Sequence, residues 1–260
     1  MLRRIVDLSL AIRPSSPGHF KIPPHYADIE EIGKERSRTE VMSVCSLTPF
    51  AMDNNPEDIF MDITLGHTTP HTHVESSLQS TAHFFGTLKS NERWTRLDIS
   101  QYPLARTVGM ASVVDCSDVS EGGEITKEDL QKRGKHIQRG DIVLLYTGAC
   151  DKGPTIRGGD HYFEKTTGIT QEAAEWLVRE KDVFVLGTDG GSVDSLDNIR
   201  KTGFLSIHDY LFRNGVLMLE VLDKIGSLNK ERLFLDCGVV LKTPHIEDSP
   251  ARVIALEDRE

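Results

Sequence analysis

No Cys-x-x-Cys pair occurs in this chain; its four cysteines (Cys45, Cys116, Cys150, Cys237) are scattered. They read as reduced, mostly buried thiols of a cytoplasmic protein, with a single disulfide as the alternative. No apolar run approaches the length of a membrane span. Asp7 comes too early for the apolar core of a signal peptide. Basic clusters and an acidic tail are also missing. A formal net charge of -10 and a pI near 5.5 argue against nucleic acid or an anionic membrane as the main partner, since binding phosphates needs a basic surface. Neither Gly-x-Gly-x-x-Gly nor a phosphate-loop lysine is present, so Gly187 to Gly191 reads as a strand-end turn ordered by Asp189, not a nucleotide site. The lack of a Gly-x-Ser-x-Gly elbow leaves a serine hydrolase nothing to rest on. Cys150, at a strand end, reads as structural rather than as a catalytic thiol. Internal repeats and low-complexity linkers are absent.

What remains is a chain of 260 residues and 29.0 kDa, 38% hydrophobic and 27% charged, the composition of one soluble globular domain with a substantial core. Strands are expected near Arg4–Ser9, Thr39–Leu47, Phe60–Leu65, within Leu104–Cys116, and near Arg232–Val240 and Ala251–Leu256. The apolar runs Ile142–Tyr146 and Val183–Gly187 read as buried central strands. Thr126, with Asp129 three residues on, resembles a capping box. Thr170 caps the clearest helix, whose inner face is Ala173, Ala174, Leu177 and Val178. Strand–helix alternation predicts an α/β fold in a single domain spanning 1–260. A proline-rich arm about 12–30, carrying Pro14, Pro17, Pro23 and Pro24, fits a lid or a subunit contact.

Chemistry concentrates between Gly66 and His83, where four of the ten histidines fall. If the extended geometry of Phe60–Leu65 continues, His67, His71, His73 and Glu75 project from one face, although Pro70 can interrupt it. Imidazoles and a carboxylate converging this way suit zinc or manganese; the alternative is a His-rich surface loop. Further on, His208 lies in the apolar stretch Phe204–Phe212, and Glu220 interrupts Val216–Leu222. A carboxylate in such a run must be paired, protonated or metal-bound, and Arg213 or Lys224 would serve as an ion-pair partner.

Together these segments resemble the cyclase family of metal-dependent hydrolases, which includes kynurenine formamidase and isatin hydrolase. Thr72-His-Val-Glu75 with His83-Phe-Phe85 is similar to the family's Gly-Thr-His-x-Asp-x-Pro-x-His-Phe. Gly140–Gly148, Gly168-Ile-Thr170 with Ala173–Leu177, Val185–Asp189, Ser192-Val-Asp194 and Ser249-Pro-x-Arg252 follow in the family's order. His208 and Glu220 keep its His-x11-Glu spacing. The first motif departs: Thr69 stands where the first ligand belongs, Glu75 replaces Asp, Ser77 replaces Pro, and Gln79 stands where the next histidine is expected.

The resemblance implies a swivelling β/β/α domain with a mixed sheet core, assembled as a homodimer or homotetramer. It implies one or two Zn2+ (or Mn2+) ions per subunit on His73, Glu75, His208 and Glu220, with His67 or His71 supplying the displaced first ligand. The implied activity is hydrolysis of a small amide, cyclic amide or lactone by metal-activated water. A lyase or cyclase acting on a small biosynthetic intermediate, or a non-catalytic metal-binding member, are the alternatives. Gln79 cannot exchange a proton near neutral pH, so His83 is the candidate general acid/base. A helix over Ser76–Ala82 would return His83 to the face of Gln79.

Overall fold

The computed structural model describes residues 3–9, 76–81, 97–152, 165–203, 205–238 and 248–258. The arm about 12–30, the expected strands at Thr39–Leu47 and Phe60–Leu65, and Cys45 lie outside them. The described strands are β1 (Arg3–Asp7), β2 (Ser77–Gln79), β3 (Val108–Asp115), β4 (Glu124–Ile125), β5 (Ile142–Tyr146), β6 (Gly168–Ile169), β7 (Val185–Thr188), β8 (Leu217–Glu220), β9 (Arg232–Asp236), β10 (Asp248–Pro250) and β11 (Ile254–Asp258). The helices are α1 (Lys127–Arg133), α2 (Gln171–Arg179), α3 (Leu196–Thr202) and α4 (Ser206–Arg213).

The apolar runs at 142–146 and 183–187 become the neighbouring parallel strands β5 and β7 of one mixed sheet, in the order β1-β11-β9-β3-β5-β7-β8-β2-β10. Strands β3, β5, β7 and β8 run parallel, and antiparallel strands extend both ends. Pro250 ends β10 and Ile254 begins β11, yet seven steps of the order separate these strands. Across a flat sheet seven steps span about 34 Å, whereas four residues reach about 14 Å at most. The sheet therefore curls until its ends approach. Backbone bonds fasten the curl, from Ala251 N to Ser76 O at 3.0 Å and from Leu8 N to Val253 O at 2.9 Å.

Alternation along β5 sends Ile142 and Leu144 inside the curl, where they pack with Leu78, Val185, Leu219, Leu235 and Val253. Val143 and Leu145 point the other way, onto Leu130, Leu177, Leu211 and Phe212 of the helices. This is the mixed α/β architecture expected from the strand–helix alternation.

Local signals explain most element ends. Thr126 accepts from Asp129 N at 3.1 Å while Asp129 Oδ2 accepts from Thr126 N at 3.0 Å, a complete capping box with Asp in place of Glu. Thr170 caps α2, whose buried face adds Trp176 to Ala173, Ala174 and Leu177, with Val178 partly buried. Leu104–Arg106 forms a 3-10 turn after Pro103, and β3 follows at Val108, within the stretch 104–116 where a strand is expected. Two readings shift. The last strand begins at Ile254, because Val253 N is taken by Ser9 Oγ at 2.8 Å. The helix over Ser76–Ala82 is overturned: Ser77–Gln79 is a strand, held by ladders to β8 and β10 on either side.

Gly168 is required where β6 passes the loop after β7. A Cβ there would lie 2.3 Å from Ser195 N and 2.8 Å from Val193 O, both backbone atoms that cannot swing aside. Gly168→Ala is expected to cost about 1–3 kcal/mol, as overpacked sites do. Denaturant unfolding checks this, and an unchanged midpoint would mean that residues 193–195 yield freely.

Candidate functional site

Parallel strands leave their carboxyl ends on one side of a sheet, the usual place for a site in open α/β folds. β8 brings Glu220 to such an end. Leu217 and Leu219 point into the curl, so Met218 and Glu220 face the helices. β2 lies antiparallel to β8 with Ser77 opposite Glu220 and Gln79 opposite Met218, which sets Gln79 on the same face, diagonal to Glu220. Gln79 Nε2 donates to Glu220 Oε2 at 2.7 Å, and both side chains are buried.

The opposing wall is α4. Its inner residues Ile207, His208, Leu211 and Phe212 are buried, and the Phe212 ring meets the imidazole edge-on at 5.7 Å between centroids. His208 Nε2 lies 3.2 Å from Glu220 Oε1. That is ion-pair distance, but the pair is not aligned as a hydrogen bond, and Glu220 Oε1 has no hydrogen-bond partner among the described residues. Neither Arg213 nor Lys224 pairs with Glu220: Arg213 bonds to Asp209, and Lys224 lies at ion-pair distance from Asp223.

Asp194, in the loop after β7, is the hub that sequence reading missed as a site residue. Its Oδ2 accepts from His208 Nδ1 at 2.6 Å and from His208 N at 3.1 Å. Its Oδ1 accepts from Ile207 N at 2.9 Å and from Asn198 Nδ2 at 2.9 Å. Leu205, at the N-cap position of α4, has no capping side chain, so Asp194 caps that helix from another segment. One carboxylate thus fixes both the start of the helix and the ring orientation of its third residue. Burial lowers the basicity of His208, but the bond to Asp194 and the neighbouring Glu220 carboxylate outweigh it and push the imidazole up to about 10.

Two further features border this end of the sheet. Val221 adopts φ 59, a left-handed backbone that strains a β-branched residue. Its N–H donates to Gly190 O at 3.0 Å and its carbonyl accepts from Ser76 Oγ at 2.8 Å, which hold the kink directly after Glu220. Asp189 accepts from Thr147 N and Thr147 Oγ1, both at 2.7 Å, and so orders the ends of β5 and β7; burial pushes its carboxyl up. Cys116, Cys150 and Cys237 are buried, and burial raises the Cys116 thiol to about 12, which fits a structural role.

The structure brings together His208 and Glu220 of the ligand set inferred from sequence. His67, His71, His73, Glu75 and His83 lie outside the described residues. Among the described residues no group of three or more His, Cys, Asp and Glu side chains is disposed to hold a metal. The pair nevertheless suits a cation. Glu220 Oε1 and Gln79 Oε1 are buried acceptors with no hydrogen-bond partner among the described residues, and such an atom costs about 1–3 kcal/mol until it finds one. With Asp194 on Nδ1, Nε2 is the nitrogen that would meet a metal once its proton is displaced, the usual carboxylate–histidine support of a metal site.

The Cyclase family model, described as "Putative cyclase", matches residues 6–195. No curated protein sequence matches the chain. Among solved structures, isatin hydrolase A from Labrenzia aggregata bound to benzyl benzoate is similar with a TM-score of 0.69 at 19% identity, over 99% of this chain and 94% of that one. Isatin hydrolase A from Ralstonia solanacearum gives 0.68 at 18% identity, over 98% and 92%. A "potential metal-dependent hydrolase with cyclase activity" gives 0.63 at 19% identity, over the whole of both chains. At these identities the likeness establishes the fold.

Proposed function

The chain belongs to the cyclase family, and from that premise we propose that it is a metal-dependent hydrolase of a small amide, cyclic amide or lactone. One observation carries the reading. His208 and Glu220 meet at a strand end, each oriented by a second buried side chain, with a carboxylate oxygen that has no hydrogen-bond partner among the described residues. His73 and Glu75, with His67 or His71, would complete the site around one or two Zn2+ or Mn2+ ions.

A bound divalent ion acidifies water and polarises a carbonyl as a Lewis acid. The chain's own groups do the rest. Asp194 holds the His208 ring with Nε2 toward the site, and Gln79 holds Glu220. His83 is the proposed proton carrier to the leaving nitrogen or oxygen. No helix among the described residues is long and apolar enough to cross a membrane, and a small-molecule substrate in a cytoplasmic homodimer or homotetramer fits the proposal.

Elemental analysis of protein made without added metal should find zinc or manganese near one or two equivalents per subunit. Chelation should abolish hydrolysis in a screen of small amides and lactones, and the metal should restore it. Metal-free protein that hydrolyses such substrates unimpaired would overturn the proposal. Gln79 favours a second reading, because an amide beside Glu220 cannot protonate a leaving group. If turnover of a small biosynthetic intermediate yields an eliminated or cyclised product without uptake of water, the lyase or cyclase assignment replaces hydrolysis.

A further inference from the structure

Gln79 is 2% exposed, and its amide orientation is fixed by its neighbour. Glu220 Oε2 accepts only, so the amide group 2.7 Å away must be Nε2, and the carbonyl oxygen must point elsewhere. That oxygen has no hydrogen-bond partner among the described residues, and neither has Glu220 Oε1. The β2–β8 register sets the two side chains diagonally on one face, with Glu220 Oε1 3.2 Å from His208 Nε2. Two buried acceptors on neighbouring side chains do not satisfy each other; a cation satisfies both.

We propose that Gln79 is a ligand of the metal site, its carbonyl oxygen binding the same divalent ion as His208 and Glu220 while its Nε2 holds Glu220 in place. The inference rests on the metal site of the proposed function and adds a neutral oxygen donor to it. Carbonyl and carboxylate oxygens suit manganese, whereas imidazole-dominated sets suit zinc. Gln79 accordingly tilts the site toward Mn2+. It also means that position 79 contributes no proton transfer, so the acid/base step falls to another group.

The test is calorimetric titration of Mn2+ and of Zn2+ into the chelator-treated full chain and its Gln79→Leu variant. Gln79→Leu is expected to weaken Mn2+ binding by roughly 10–100-fold and Zn2+ binding by much less, on the scale of lost metal-site support. Chelator-treated Gln79→Leu should keep the wild-type circular dichroism spectrum, which separates lost ligation from a folding defect. Equal losses for both metals in Gln79→Leu would reduce Gln79 to a positioning residue for Glu220 and overturn the proposal. So would unchanged Mn2+ affinity in Gln79→Leu. Wild-type protein that binds neither metal overturns the metal site itself, and this inference with it. Wild-type binding with an indifferent position 79 overturns this inference alone.

Discussion

Asp194→Ala is expected to cost the metal-free protein about 3–5 kcal/mol, the penalty for breaking a buried charge pair by removing one partner. Four donors lose their acceptor at once: the backbone N–H groups of Ile207 and His208, the Asn198 amide and the His208 ring. The loss also falls on both sides of one equilibrium. Without its cap the first turn of α4 frays, and without Asp194 the ring is free to turn Nε2 away from Glu220. For a chain of this size the midpoint should fall on the order of 6–20 °C in a thermal melt. Asp194→Asn separates the two roles. It keeps one oxygen for the helix N–H groups but sets an amide nitrogen against another donor. It should therefore melt closer to the wild type while metal affinity still falls roughly 10–100-fold. A wild-type melt for Asp194→Ala would show that α4 is held by its apolar face alone.

Features that depend on neighbours in sequence were legible before any coordinates. The buried strands β5 and β7 follow from uninterrupted apolar runs, and the starts of α1 and α2 from Thr126 and Thr170, because an N-cap acts over three residues. The convergence of His208 and Glu220 was implied by the resemblance to the cyclase family, whose His-x11-Glu spacing they keep; from the residues alone Glu220 was as easily read as the partner of Arg213 or Lys224. What stayed hidden depends on long-range pairing. Gln79 meets Glu220 across 141 positions, through a three-residue strand whose short run gives almost no periodic signal. Asp194 caps a helix from outside it, so nothing at Leu205 marks the start of α4. One faint signal existed: a helix beginning without Ser, Thr, Asp or Asn at its N-cap needs an acceptor from elsewhere, and Asp194 lies a short loop and α3 upstream. The curl of the sheet was invisible locally, since it follows only from the strand order combined with the three-residue link between β10 and β11. The His-rich stretch from His67 to Glu75, where the sequence is richest in chemistry, lies outside the described residues, as does His83.

Glu220→Gln should produce the opposite profile from Asp194→Ala, with little lost in folding and nearly everything lost in metal binding. The replacement has the same shape, and its carbonyl can still accept from Gln79 Nε2, which now bonds to Glu220 Oε2 at 2.7 Å. Its amide nitrogen then faces His208 Nε2, which accepts when the ring is neutral, and Asp194 still holds the other side of the ring. A buried carboxylate has been exchanged for a neutral group with both its bonds available, so the metal-free protein should lose no more than about 1–2 kcal/mol. The cation, however, loses a negative oxygen in direct contact, a larger change than removal of an outer supporting group. Affinity for Zn2+ or Mn2+ should fall by more than about a hundredfold and hydrolysis should drop to background. Thermal melts of chelator-treated protein, paired with metal titrations, measure the two effects separately. Near wild-type metal affinity in Glu220→Gln would mean that the ion is held elsewhere, and that the Glu220–His208 contact only closes α4 onto β8.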